Sequence, residues 1–304
     1  MIDHRLKLLS HSSCCSLHSC PRKYQLTKIS PNAIKEETVD TAFGKTFGEG
    51  IQNILLGLDF QDVIIKSIML WSLDLEDEKQ EKSIWSAINA LNKFNLIKHE
   101  SALAEYEVAM FEGKPATELG FTITFPEGFF FRGFIDVVLK HKLTGSLLVV
   151  DVKTTGSKYT NPAKFANSAQ AIGYSIVLDK IEPNLSQYDV MYYEYSTSTK
   201  KFTDMVFSID PLRKALWLRD IMYDINIIQM YAANSPEFPL HGESCVAFNR
   251  ACQFIDVCTM STKAICGNSY PQVKPNNEEE EGVEDKYQFK FTLDELVNTQ
   301  LERG

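Results

Sequence analysis

Two short runs of this 304-residue chain place acids inside segments that are otherwise apolar. Phe131-Arg132-Gly133-Phe134-Ile135-Asp136 ends on a carboxylate, and Val149-Val150-Asp151-Val152-Lys153 sets a second one two residues before a lysine. On a strand, residues i and i+2 point to the same face, so Asp151 and Lys153 project together. If the two runs pair as a hairpin, Asp136 comes to lie near Asp151. A buried carboxylate costs several kcal/mol unless it is paired or binds a cation. Two converging carboxylates beside a lysine therefore suit a divalent metal with oxygen ligands. Such a site could orient a water and offset charge developing on a phosphodiester. Alone, an Asp-x-Lys run also describes a surface ion pair, so its context matters.

That context continues downstream. Asn161-Pro162 leads into a helical pattern carrying Gln170 and Tyr174, four residues apart and so on one helix face. Lys45, Arg132, Lys158 and Lys164 flank these runs and could meet phosphates. A second constellation is made of cysteines. Cys14, Cys15 and Cys20 lie early, Cys245, Cys252, Cys258 and Cys266 late, and none lies between. An odd count without a disulfide spacing points to metal ligation or free thiols. Cys245, Cys252 and Cys258 are spaced more widely than in a zinc ribbon and need a fourth ligand, for which Cys20 in Ser19-Cys20-Pro21-Arg22 is the candidate. Cys14, Cys15 and Cys266 are left as ordinary thiols.

The elements that must position these groups can be read from periodicity. Phe43, Phe47, Ile51 and Leu55 recur at steps of four over 40–57, and Ile84, Ile88, Leu91 and Phe94 mark a second helix. Residues 103–112, 119–126, 129–140 and 146–153 are short β-branched and aromatic runs separated by Gly and Pro, as in a meander. A helix through Phe165 to Val177 follows, then strands near 188–196 and 201–208 and a long helix over 211–233. Pro21 suits a helix start. Glu278 to Glu281 form an acidic linker before a terminal helix over 289–302.

Composition sets the outer bounds. A chain of this length buries roughly 75% of its unfolded surface and needs no disulfides. No apolar run approaches the ~20 residues of a membrane span, and the start lacks an apolar leader core, so a cytoplasmic protein without membrane partners is expected. From Glu278 onward nine acids face three bases, net −6, which leaves −3 of the whole chain's −9 for the first 277 residues. Charge thus neither supports nor excludes DNA. No phosphate-binding Gly loop, Ser/His/Asp triad or histidine metal spacing is present.

Gly133-Phe134-Ile135-Asp136, Asp151-Val152-Lys153-Thr154-Thr155-Gly156 and Gln170-Ala171-Ile172-Gly173-Tyr174 occur in an order that resembles the PD-(D/E)XK nuclease superfamily, and within it the RecB-type exonucleases and their phage-encoded relatives. With its flanking features, the resemblance covers most of residues 12 to 258. It implies that Asp136 and Asp151 hold Mg²⁺ or Mn²⁺, that Lys153 is the catalytic lysine, and that Gln170 and Tyr174 are that branch's extra motif. One departure stands out. The helix before the sheet commonly carries a G-x-x-x-H pattern, whereas this chain has Gly44-Lys45-Thr46-Phe47-Gly48 followed by Glu49. Glu49 could supply a carboxylate to the metal instead, or water could take that place. Members of the branch with one early and three late cysteines carry a 4Fe–4S cluster. The resemblance implies such a cluster on Cys20, Cys245, Cys252 and Cys258, with Zn²⁺ the alternative for the same thiolates.

The expectation is an α/β, restriction-endonuclease-like mixed sheet flanked by helices, with a helical lobe and cysteine cluster joining N- and C-terminal segments. Residues 1–275 form the nuclease domain, and 276–304 the acidic linker and a short tail that could dock on a protein partner or pack back on its own domain. The expected function is an exonuclease acting on DNA ends or single strands in recombination, repair or degradation, in a bacterium or a phage-infected host cytoplasm. The rival reading is a non-catalytic DNA-binding or scaffold protein that keeps the fold and the cluster.

Overall fold

The computed structural model describes residues 2–29, 38–71, 81–166, 168–182, 189–247, 250–259 and 288–303. Cys266 and the acidic linker at Glu278–Glu281 lie outside the described residues. In chain order the helices are α1 (His11–Ser19), α2 (Pro21–Ile29), α3 (Val39–Leu55), α4 (Phe60–Leu70), α5 (Ile84–Ile97), α6 (Ala163–Ala166), α7 (Ala169–Ile181), α8 (Pro211–Asn234), α9 (Ile255–Thr259) and α10 (Leu293–Arg303). The strands are β1 (Leu8–Leu9), β2 (Tyr106–Val108), β3 (Met110–Phe111), β4 (Lys114–Pro115), β5 (Thr117–Phe125), β6 (Phe129–His141), β7 (Leu147–Thr155), β8 (Asp189–Ser196), β9 (Lys201–Ser208), β10 (Val246–Ala247), β11 (Arg250–Ala251) and β12 (Phe289–Thr292). The chain divides into a first unit, made of residues 1–35, 120–133 and 215–298, and a second, made of 36–119, 134–214 and 299–304. Among the described residues no helix is long and apolar enough to cross a membrane.

The second unit is built on a mixed sheet. β6 and β7 run antiparallel with Val137 opposite Val150. β7 and β8 run parallel with Asp151 beside Tyr192 and Lys153 beside Glu194, and β9 returns antiparallel to β8. Thr38 caps α3, and the helix buries Phe43, Phe47 and Ile51 completely. These side chains join Leu91 and Phe94 of α5 against Val137, Val150, Tyr193 and Tyr195 of the sheet. Gly50 permits this packing, because a Cβ there would stand 2.4 Å from Leu91 Cδ1. Alternation sends Val150, Tyr193 and Tyr195 to this helix layer and leaves Asp151, Lys153, Tyr192 and Glu194 for the other face. On that face Phe165 of α6 stacks on Tyr192 at 4.5 Å between ring centroids.

The first unit carries the opening helices and the late cysteine segment. β1 lies parallel to β6, with Leu8 opposite Phe130, and β12 lies parallel to β5, with Phe289 opposite Phe121. Phe121 stacks on Phe131, and Trp217 of α8 meets Phe131 edge-on at 5.1 Å. The Phe121 ring occupies the space beside Gly133, where a Cβ would stand only 2.6 Å from it.

Three elements differ from expectation. The run 103–112 is a 3-10 turn followed by β2 and β3, because Glu112 and Gly113 take positive φ and turn the chain at once into β4. The helix foreseen through 165–177 begins only at Ala169, after the short α6. The stretch 289–302 opens as a strand, not a helix, and of the two placements open to it the segment packs back on the protein: β12 extends the sheet and Leu296 is fully buried. Gln300 then donates to the fully buried Asp179 at 2.7 Å, beside Lys214 at 2.8 Å. Deleting residues 278–304 is therefore expected to destabilise the protein. Burial of Leu296 alone is worth about 1.5–3 kcal/mol, and β12 and Gln300 add to it. A thermal melt should show Tm lowered by about 5 °C or more; an unchanged Tm would contradict this account of the segment.

Candidate active site

The site grows from the register of β6 and β7. Their ladder ends at Val137–Val150, so the next pair outward is Asp136 and Asp151. There a side chain replaces backbone pairing: Val152 N–H donates to Asp136 Oδ2 at 2.9 Å. Asp151 is fully buried and meets Lys153 Nζ at 2.6 Å from its Oδ2. Lys153 also donates to Gln170 Oε1 at 3.3 Å, Gln170 Nε2 donates to Tyr174 Oη, and Tyr174 Oη donates to Asp151 Oδ1 at 3.4 Å. The i and i+4 spacing on α7 and the i and i+2 spacing on β7 thus close one ring of four side chains, with Asp136 at its edge.

The electrostatics follow from crowding acids under a helix. Burial, and then the neighbouring Asp151, push the Asp136 carboxyl up to about 7, while Lys153 and the Val152 N–H pull the other way. Burial, then Asp151 and Asp136, hold the Tyr174 phenol well above its ordinary value, so it serves as a neutral donor. Like charges forced together are relieved by a cation placed between them. Among the described residues no group of three or more His, Cys, Asp or Glu is placed to hold a metal ion. Mg²⁺, however, is commonly held through one or two carboxylates, with water and substrate phosphate completing its shell. Asp136 and Asp151 fit that demand.

The remaining sequence-predicted residues fall as follows. Gly44 of α3 faces β7, its Cβ position 3.6 Å from Thr154 Oγ1, whereas a Cβ on Gly48 would meet nothing within 4 Å. Glu49 is half-buried and sits one residue round the helix from the line Gly44, Gly48, Gln52. Lys45, Lys158 and Lys164 are exposed in the same unit. Arg132 belongs to the first unit.

Glu118 was not legible in the sequence. Val138 N–H donates to Ala116 O, so two residues onward Glu118 lies opposite Asp136, and its charge adds to the pressure on that carboxyl. Gln52, one turn beyond Gly48, holds the Glu118 carboxylate at 2.6 Å. Glu118 takes a positive φ of 48°. No local pattern marks such a residue; only the β5–β6 pairing brings it there.

The cysteines meet within the first unit. Cys20 stands between α1 and α2, and it lines one pocket with Cys245, Cys252 and Cys258, closed by Leu240, Phe254 and Ile255. Burial raises the Cys258 thiol, Arg22 lowers it, and the three other thiols raise it again. Cys14 lies elsewhere in the core, its thiol pushed far up by burial and by Asp224. Backbone and side-chain bonds dock the late segment: Ser244 Oγ donates to Ser19 O at 2.7 Å, Phe238 N–H to Gln25 Oε1 at 3.0 Å, and Cys252 N–H to Cys245 O at 2.7 Å. The four cysteines share the lining of one pocket, and thiolates are the donors a four-thiolate metal group takes, but as placed they do not form a metal-holding group.

No curated protein matches this sequence. Among solved structures, an exonuclease candidate from Eubacterium rectale aligns with a TM-score of 0.48 at 9% identity, over 84% of this chain and 94% of that one. A protein named SSO0001 aligns with a TM-score of 0.29 at 12% identity, over 64% and 78% of the two chains. The family model of the PD-(D/E)XK nuclease superfamily matches residues 8–259, a span that holds every side chain of the ring and all four pocket cysteines, and the chain belongs to that superfamily.

Proposed function

We propose that this protein is a metal-dependent DNA nuclease, acting as an exonuclease on ends or single strands in DNA recombination, repair or degradation. The observation that carries this reading is the closed ring of Asp151, Lys153, Gln170 and Tyr174 with Asp136 at its edge. When bound, Mg²⁺ or Mn²⁺ would supply Lewis acidity toward the phosphate and help orient water beside it. The chain's own residues do the rest. Asp136 and Asp151 set two adjacent carboxyl groups on neighbouring inner strands of the sheet, Asp151 fully out of water. Lys153, partly exposed beside the buried Asp151, places an ammonium where charge develops on the phosphate. Gln170 and Tyr174 fix the lysine and Asp151 in one geometry, so little reorganisation accompanies reaction. The pocket of Cys20, Cys245, Cys252 and Cys258 supports a second proposal, a structural 4Fe–4S cluster on those thiolates.

End-labelled single- and double-stranded DNA, incubated with and without Mg²⁺ or Mn²⁺, tests the first reading. The wild type should release short products only when metal is present. Asp136→Ala should abolish release while binding DNA at least as tightly, since it removes negative charge. Wild-type protein that binds DNA yet leaves it intact with Mn²⁺ present would make the chain a DNA-binding scaffold.

A further inference from the structure

We propose that Tyr159 is a stacking platform for an unpaired base of single-stranded DNA, on the loop that follows the strand carrying Lys153; this rests on the nuclease reading and names its substrate class. The ring of Tyr159 is 86% exposed. Its loop is nonetheless tightly held. Ser157 N–H donates to Thr155 Oγ1, Ser157 Oγ donates to Tyr159 O at 2.8 Å, and Tyr159 N–H donates back to Ser157 Oγ at 3.1 Å. The turn after β8 grips the same loop: Ser196 Oγ donates to Ser157 O at 2.7 Å, and Ser198 Oγ donates to Gly156 O at 2.6 Å.

Placement follows from register. Thr160 Oγ1 donates to Glu194 Oε1 at 2.7 Å, and Glu194 is the β8 residue paired with Lys153. Side chains of paired residues on neighbouring strands share a face, and such strands are ≈ 4.8 Å apart. The loop therefore folds back along the sheet, so that Thr160 reaches the residue one strand away from Lys153. Tyr159, the preceding residue in the same loop, is exposed to solvent. Lys158 on one side and Lys164 on the other are exposed cations suited to the sugar–phosphate backbone.

A large ring left in water on a pinned loop loses little conformational freedom when it meets a flat partner. A base inside a duplex already has both faces stacked, whereas an unpaired base offers one. Exposed cations alone would bind either form of DNA; the aromatic face is what selects the single strand.

The test is fluorescence anisotropy with a labelled 12-nucleotide single strand and the matching duplex, with Ca²⁺ present, on the full-length wild type, Tyr159→Ala and Tyr159→Phe. Loss of one stacking aromatic corresponds to about 5- to 150-fold weaker binding, and Tyr159→Ala should lose this on the single strand alone. Duplex binding should change less than about twofold, and Tyr159→Phe should restore single-strand affinity. Equal losses on both DNAs, no loss, or failure of the Phe variant would overturn the stacking role, as would a Tyr159→Ala protein that loses binding to another protein but not to DNA. Those outcomes leave the nuclease reading standing wherever the wild type still cuts. A wild type that neither binds nor cuts any DNA overturns both.

Discussion

Lys153→Ala should lower DNA cleavage by about 10²–10³-fold, the usual contribution of one positioned charge at a reacting centre, while DNA affinity changes by less than about threefold. The two effects separate because the lysine faces inward. Its ammonium is spent on Asp151 at 2.6 Å and Gln170 at 3.3 Å, and only part of the side chain reaches solvent. One phosphate contact among several is a small share of binding. Single-turnover cleavage with Mn²⁺ gives the first number, and anisotropy with uncleaved DNA the second.

The same substitution has a structural signature that tells a placed lysine from an incidental one. It leaves Asp151, fully buried, without its cation; breaking a fully buried pair commonly costs about 3–5 kcal/mol, and the 35% exposure of Lys153 places this loss below that range. The metal-free variant should therefore melt well below the metal-free wild type. Added Mn²⁺ should recover more Tm in the variant, because a cation between Asp136 and Asp151 compensates the same charge. If Lys153→Ala cleaves at the wild-type rate, Lys153 has no chemical role and the ring is structural. If cleavage and DNA binding fall together, the lysine holds substrate and does not act on the reacting phosphate.

What was legible in the sequence is what lies within one element. Asp151 and Lys153 are two apart on a strand, and Gln170 and Tyr174 four apart on a helix, so their shared faces follow from backbone geometry alone. The hairpin that brings Asp136 to Asp151 needed one further assumption, and the register supports it. Helix α3 announced itself through Phe43, Phe47 and Ile51, but α4 did not. Its Ile65, Ile68 and Met69 are 55%, 43% and 81% exposed, so its apolar residues mark no single buried face. Glu118 held by Gln52, and Thr160 held by Glu194, join residues far apart in sequence, and no periodicity encodes them. The strand nature of 289–292 was hidden for the same reason: a parallel partner at 121–124 fixes it, not its own composition.

On the proposal that Cys20, Cys245, Cys252 and Cys258 hold a cluster, Cys252→Ser should abolish metal binding in the first unit, and this is the second large effect. Anaerobically purified wild type should be brown with close to four irons per chain; the variant should be colourless with iron near zero, because three thiolates leave a cluster corner open. Stability should fall as well. A bond from Cys20 to Cys245 closes a loop of about 225 residues, and metal binding energy is folding energy where the site does not exist in the unfolded chain. The loss should be local, however. Residues 236–244 keep their own ties to Ser19, Arg22 and Gln25, whereas a cluster on Cys245, Cys252 and Cys258 would be the added tie of the segment that carries β10, β11 and α9. Limited proteolysis should accordingly cut the variant between 246 and 259 and spare 236–244. Cys14→Ser serves as control, since that thiol is buried apart from the pocket and should leave iron content unchanged. Colourless wild-type protein with one zinc per chain would replace the iron–sulfur assignment and keep the four-thiolate site. Wild type with neither metal, and a Cys252→Ser variant that melts at the same temperature, would reduce the four cysteines to free thiols that share a pocket.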